Sequence, residues 1–244
     1  MNSFPQPQLS RRVFLSMLAV FAASGAGCSV PGTSPGALSR KPSFHEQLFK
    51  TDVDHYIEAS QRRVFDSLRR LADKLYRRNP REWRKSADTL QHAVAQIFDV
   101  NHGWQLDSLN GRRGIDAMQL AFDPAFHGDR VEALMVGMGS MVQSAFAHRV
   151  GFYVLNDLSP QGFYNAARNI EIAAWKLATA RDEAGNLLLL SNEMGEVNNL
   201  SFEREMGRIV GVLETLSDLL EIKTERIVIR MVQGIATAAF LPIP

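Results

Sequence analysis

The stretch that decides the fold is Asp129-Arg130-Val131-Glu132-Ala133-Leu134-Met135-Val136-Gly137-Met138-Gly139-Ser140-Met141-Val142-Gln143-Ser144-Ala145-Phe146-Ala147. Its apolar residues point in nearly every direction at helical spacing, the pattern of a helix in the middle of a bundle or in a membrane. Length separates the two. The uninterrupted run from Ala133 to Ala147 has 15 residues between Glu132 and His148-Arg149, and a bilayer span needs about 20. Asp129 is placed to cap the helix, which the pattern carries to about Leu155. Small residues at Ala133, Gly137, Ser140, Ser144, Ala147 and Gly151 form one seam, which lets a neighbouring backbone come close. The same helix offers a second use: Gly137, Met138, Ser140, Met141 and Ser144 could wall a pocket for a lipid or other apolar ligand, because methionine adapts to irregular shapes. Gly137-Met138-Gly139-Ser140-Met141 is neither a Gly-x-Ser-x-Gly nucleophile turn nor a phosphate loop ending in Gly-Lys-Ser/Thr.

Working outward, apolar steps of three and four from His45 to Asn79 predict one long amphipathic helix, or two in line. Asn79-Pro80-Arg81-Glu82 reads as a cap, an N1 proline and a glutamate reaching back, opening a helix with Trp83, Leu90, Val94, Ile97 and Phe98 inward. Gly103, Asn110, Gly111 and Gly114 mark a loop. Ile115 to Phe122 suits a short helix, and Ser159-Pro160 opens another through Leu177. Gly185-Asn186 breaks the chain before Leu187–Leu190, a short strand or a buried linker, and Ser201 starts the last long helix. Ile227-Val228-Ile229 is β-branched within a helix-spaced context. The expected class is all-α: a bundle of six or seven helices around a central apolar helix at about 130–155, forming one domain over 45–244.

The N-terminus has a different character. Arg11 and Arg12 precede an uncharged stretch from Val13 to Gly27, which ends at Cys28, the one cysteine in 244 residues. Positive charge, a short apolar segment and small residues are the layout of an export signal. Ser10-Arg11-Arg12-Val13-Phe14-Leu15 resembles the twin-arginine export motif, with Ser16 where that motif has lysine. Ala26-Gly27-Cys28 resembles the end of a bacterial lipobox, with Gly25 where leucine is usual. The resemblance implies a signal peptide over 1–27 and a Cys28 that carries acyl chains. With Ser29 rather than aspartate after it, the lipoprotein sorting pattern implies the outer membrane, facing the periplasm. Residues 28–44, with three prolines and two glycines after Cys28, have the composition of a tether.

Charge balances at 27 Lys+Arg against 26 Asp+Glu, which excludes a generally basic nucleic-acid binder. The distribution is uneven. Residues 62–85 hold ten basic and three acidic residues, whereas 182–225 hold ten acidic and three basic. Arg63, Arg70 and Arg77 recur every seventh residue and would form a stripe for an anionic partner. The plainer reading is that the two segments face one another or are simply solvated helix faces. Asp52, His55 and Glu58, with Asp88 and His92, hold possible metal-ligand spacings. The chain nevertheless has no Glu-x-x-His pair of the kind helical di-metal sites repeat, so a polar helix start is the better reading. His45, His102, His127 and His148 show no partnered nucleophile at readable spacing. One cysteine excludes an internal disulfide framework. No cofactor, metal or nucleic acid is expected. The expected function is binding or scaffolding in an envelope assembly, with a protein partner and a membrane anchor. The alternatives are a lipid-handling protein and a hydrolase or metal enzyme.

Overall fold

Among the described residues seven α-helices follow one another: α1 Asp52–Arg78, α2 Pro80–Trp83, α3 Leu90–Phe98, α4 Gly114–Ala121, α5 Arg130–Ala145, α6 Pro160–Thr179 and α7 Ser201–Thr224. A 3-10 turn, Asp107–Leu109, lies between α3 and α4. The computed structural model describes residues 52–148, 158–193 and 199–224. Among these there is no strand, only two isolated bridges, Arg181 to Leu187 and Glu193 to Asn199. The expected export signal, Cys28, the tether and Ile227–Ile229 lie outside the described residues.

The centre is α5. Every residue from Arg130 to Val142 is buried, and α5 touches α1, α2, α3, α4 and α6. On its outer sides α7 packs along both α6 and α1. The long α1 is amphipathic as its spacing predicts: Ile57, Val64, Leu68, Leu71, Leu75 and Tyr76 are all at most 1% exposed. Asp52 and Asp54 sit in its first turn and Arg77 and Arg78 in its last, each sign at the end the helix dipole favours.

The small seam has a definite use. A Cβ on Gly137 would stand 2.4 Å from Met118 Cγ, 2.7 Å from Met118 N and 2.8 Å from Gly114 O. The backbone of α4 therefore lies directly on α5. A Cβ on Gly139 would stand 2.3 Å from the Trp104 indole, which stacks on Phe65 at 6.0 Å and meets Phe98 edge-on at 6.1 Å. The missing side chains on α5 are filled by a helix backbone on one side and an aromatic cluster on the other.

Two boundaries differ from expectation, each for a local reason. The central helix ends at Ala145, not near Leu155. Ala147 and His148 take positive φ, 52° and 56°, the Ala147 N–H donates to Ser144 O (2.8 Å) and the His148 N–H to Gln143 O (2.9 Å). This is the left-handed helix end usually made with glycine; with alanine there, the stop signal was hidden. Ala147→Gly removes the left-handed penalty and is expected to raise unfolding stability by about 1 kcal/mol, read as a shift of the urea midpoint at constant slope.

The helix expected from Pro80 is two helices, because Thr89 starts a new one by accepting the His92 N–H at 3.1 Å. Asn79 does not cap α2 with its side chain. Its amide instead donates to Leu75 O (2.9 Å) and Leu190 O (2.8 Å) and accepts the Leu190 N–H (2.7 Å). The buried Asn79 thus pins the segment around Leu188 and Leu189, itself buried, to the end of α1. That segment is the buried linker rather than the strand.

Candidate functional site

Two arrangements of polar groups bear on function. The first is a buried hub at the start of α5. Asp129 caps the helix, its Oδ1 accepting the Val131 and Glu132 N–H groups at 2.9 and 3.0 Å. Its Oδ2 accepts from Tyr76 Oη and Ser86 Oγ, both at 2.9 Å. Glu82 reaches forward instead of back. Its Oε2 accepts the Arg130 N–H at 2.8 Å and pairs with Lys85 Nζ at 2.8 Å, and its Oε1 lies 3.2 Å from Arg81 Nε. Arg130 donates to four carbonyls, those of Ala121, Asp123, Pro124 and Phe126, and so holds the turn after α4. Glu132 accepts from Ser108 Oγ at 2.6 Å, tying in the 3-10 turn.

Burial pushes the Glu132 carboxyl up, and the charge of Asp129 pushes the same way against the Ser108 bond. Burial also raises Asp129 against the bonds it accepts. The Tyr76 phenol is raised by burial and then by the carboxylates around it. A carboxyl raised on folding binds more protons in the native state between its ordinary and its raised pKa, so its contribution is full at low pH and is lost as pH rises through that window. Unfolding midpoints from pH 4 to 7 should show Glu132→Gln least favourable relative to wild type at the acid end. The gap should close as pH rises. A constant gap would rule out titration of Glu132 as its source.

The hub consumes its own polar groups and is a folding device. The second arrangement leaves them free. Between the start of α4 and the end of α5 is an open cleft of about 350 Å³ lined by Arg113, Gly114, Ile115, Asp116, Ser140, Met141, Ser144 and His148. A second recess of about 390 Å³ shares Asp116 and adds Arg112, Gln119, Leu120 and Asp123. Local sequence explains the geometry. Arg113 begins α4 with no side-chain oxygen to offer, so Ser140 Oγ caps it from α5, accepting the Gly114 N–H at 2.7 Å. Ser140 Oγ in turn lies 2.6 Å from Val136 O. The left-handed stop after Ala145 then sets His148 at the far lip.

Of the proposed pocket wall, Ser140, Met141 and Ser144 line this cleft, whereas Gly137 lies beneath α4 and Met138 is fully buried in the core. Among the described residues, Arg112, Arg113, Asp116, Ser144 and His148 make no side-chain hydrogen bond or ion pair. Ser144, His148 and Asp116 share the cleft without forming a hydrogen-bonded relay.

The arginine stripe is divided. Arg63 is exposed and has no partner among the described residues. Arg70 Nε pairs with Glu205 of α7 at 3.3 Å, and Arg77 Nε pairs with Asp73 one turn back at 2.7 Å. Lys74 also reaches Glu205, and Arg78 meets Glu193. The basic and acidic segments therefore face each other in part. Glu205, 5% exposed, is met by Arg70, Lys74 and Arg208, which offsets the cost of burying it.

The possible metal ligands do not converge: Asp52, His55, Asp88 and His92 are exposed and Glu58 is buried. Among the described residues no group of three His, Cys, Asp or Glu side chains is arranged to hold a metal ion. His102 is structural, its Nε2 donating toward Gln96 O and Ile97 O at 3.1 Å and its Nδ1 accepting the Trp104 N–H at 2.9 Å. Among the described residues no helix is long and apolar enough to cross a membrane. Comparison of the chain with protein-family models, curated proteins and solved structures gives no match.

Sequence reasoning missed Arg112, Arg113, Asp116 and His148 as a group. The available signal was weak: two arginines directly before a helix-starting glycine, on the short helix that the small seam of α5 was spaced to receive.

Proposed function

We propose that this chain is an acylated envelope protein, exported by the twin-arginine route, anchored through Cys28 on the outer membrane, and acting there as a binding or scaffold component. Arg11, Arg12 and the Ala26-Gly27-Cys28 ending support the address. One observation on the body supports binding. Most basic side chains of α1 and α2 are spent on internal ion pairs, while charges of both signs stand unpaired around one cleft on α4 and α5. Such a surface suits recognition of a polar partner more than storage of an acyl chain. The apolar-ligand alternative loses Gly137 and Met138, which are taken up by packing.

Growth with a fatty-acid analogue tests the anchor. Wild type should incorporate label and fractionate with membranes, and Cys28→Ala should do neither. An unlabelled wild type would overturn the address. For the body, crosslinking in intact cells followed by purification should recover a specific envelope protein. Arg113→Glu with Asp116→Lys should lose it while Arg63→Glu retains it. Equal recovery from the cleft variant would move the interface elsewhere.

A further inference from the structure

The cleft on α4 and α5 has chemistry that narrows what it can hold, and the inference rests on the binding reading given above. Three facts set the requirements. Arg113 and Asp116 have opposite charge and are three residues apart across the first turn of α4, yet they do not pair with each other or with any described residue. Some neighbouring opposite charges in this body pair over three or four residues, as Arg77 with Asp73, Lys85 with Glu82 and Arg208 with Glu205; others of that spacing, as Arg63 with Asp66, do not, and Arg113 and Asp116 are among those left available to a ligand. The cleft also offers a hydroxyl at Ser144, an imidazole at His148 and the apolar side chains of Ile115 and Met141. It is a shallow recess of about 350 Å³, open to solvent, which restricts it to small, polar ligands.

A purely anionic ligand beside Arg113 would meet the Asp116 carboxylate, which borders both recesses. A purely cationic one beside Asp116 would meet Arg113. Each case sets a like charge against the ligand and costs binding. We propose that the cleft binds a compact zwitterion, an oxyanion joined by a short chain to an ammonium. Arg113 takes the oxyanion, with hydrogen bonds from His148 and Ser144. Asp116 takes the ammonium, and Ile115 and Met141 cover the chain between. The chemistry is that of an aminoalkyl phosphate or an amino acid, and it occurs both as free solutes and as phosphoethanolamine lipid headgroups.

Calorimetric titration of the full chain in detergent would use O-phosphoethanolamine and glycine as probes, with inorganic phosphate, acetate and ethanolamine as their single-charge parts. At least one zwitterion should bind about tenfold or more tighter than either of its parts, since each charge-assisted contact is worth about a factor of ten or more. Arg113→Ala and Asp116→Asn should each remove about tenfold from that affinity, with unchanged circular dichroism. Competition by phosphatidylethanolamine vesicles but not by phosphatidylcholine vesicles, whose ammonium has no N–H, would assign the source to lipid; failure of both to compete would assign it to a free solute. A zwitterion no tighter than its parts, or an unaffected Asp116→Asn, overturns the proposal. If that happens while Arg113→Glu with Asp116→Lys still loses the crosslinked partner, the ligand class falls and the binding reading stands.

Discussion

Gly137→Ala lowers the unfolding stability of the helical body by about 3 kcal/mol, the upper end of what overpacking a core usually costs. The size follows from what the new methyl meets. Met118 Cγ at 2.4 Å belongs to a flexible side chain and can turn away, but Met118 N at 2.7 Å and Gly114 O at 2.8 Å belong to the α4 backbone. To make room, the whole of α4 must lift from α5. Lifting it also breaks the 2.7 Å bond from the Gly114 N–H to Ser140 Oγ and widens the cleft. The expected reading is a lower urea midpoint at unchanged slope, together with weaker zwitterion binding if the cleft is the site. Gly207→Ala and Gly211→Ala are the controls. A Cβ at either position on α7 meets nothing within 4 Å, so each should gain up to about 1 kcal/mol from helix propensity. If Gly137→Ala is as benign as these, α4 does not rest on α5 through this glycine.

Asp129→Ala should cost a similar amount, about 3 kcal/mol, by a different route. It removes the cap from two amides of α5, worth about 0.5–2 kcal/mol. It also strands the Tyr76 hydroxyl, 0% exposed, whose unmet donor costs about 1–3 kcal/mol. Asp129→Asn keeps an oxygen for the amides and should lose less. Adding Tyr76→Phe to Asp129→Ala should recover part of the loss, because no buried hydroxyl is then left without an acceptor. The double-mutant cycle should therefore be non-additive by about 1 kcal/mol. Strict additivity would mean that the 2.9 Å bond between Tyr76 and Asp129 contributes nothing.

Both predictions concern features that were half-visible in the sequence. Asp129 before an apolar helix reads directly as a cap, because capping needs only one side chain and the two amides that follow it. Its other partners, Tyr76 and Ser86, are 53 and 43 residues away and have no local signature. Gly137 was legible as one of a series of small residues four and three apart, but the helix that fills the seam was not. Glu82 shows how a local rule can fail. Its spacing from Asn79 fits a reciprocal cap, yet the free N–H of Arg130 and the ammonium of Lys85 lie within its reach and offer better partners. Asn79 was then drawn to the Leu190 peptide, whose donor and acceptor match its own amide.

The candidate site was the least legible part. Ser140, Met141 and Ser144 could be named because they lie on a conspicuous helix. Arg113, Asp116 and His148 are ordinary surface residues until α4 is laid along α5 and the helix stops at Ala145. That stop carried no glycine, so nothing local announced it.

By itself the sequence determined the all-α class, the central position of the apolar helix that starts at Arg130, and the side-chain caps at Asp129 and Ser159. These depend on periodicity and on contacts within a few residues, both of which are written in order along the chain. Only the tertiary structure decided that the basic residues of α1 meet Glu205 and Glu193, that Ser140 caps a helix other than its own, and that unpaired charges of both signs gather at one cleft. Those outcomes depend on which surfaces come together, and a side chain takes the best partner within reach irrespective of its distance along the chain.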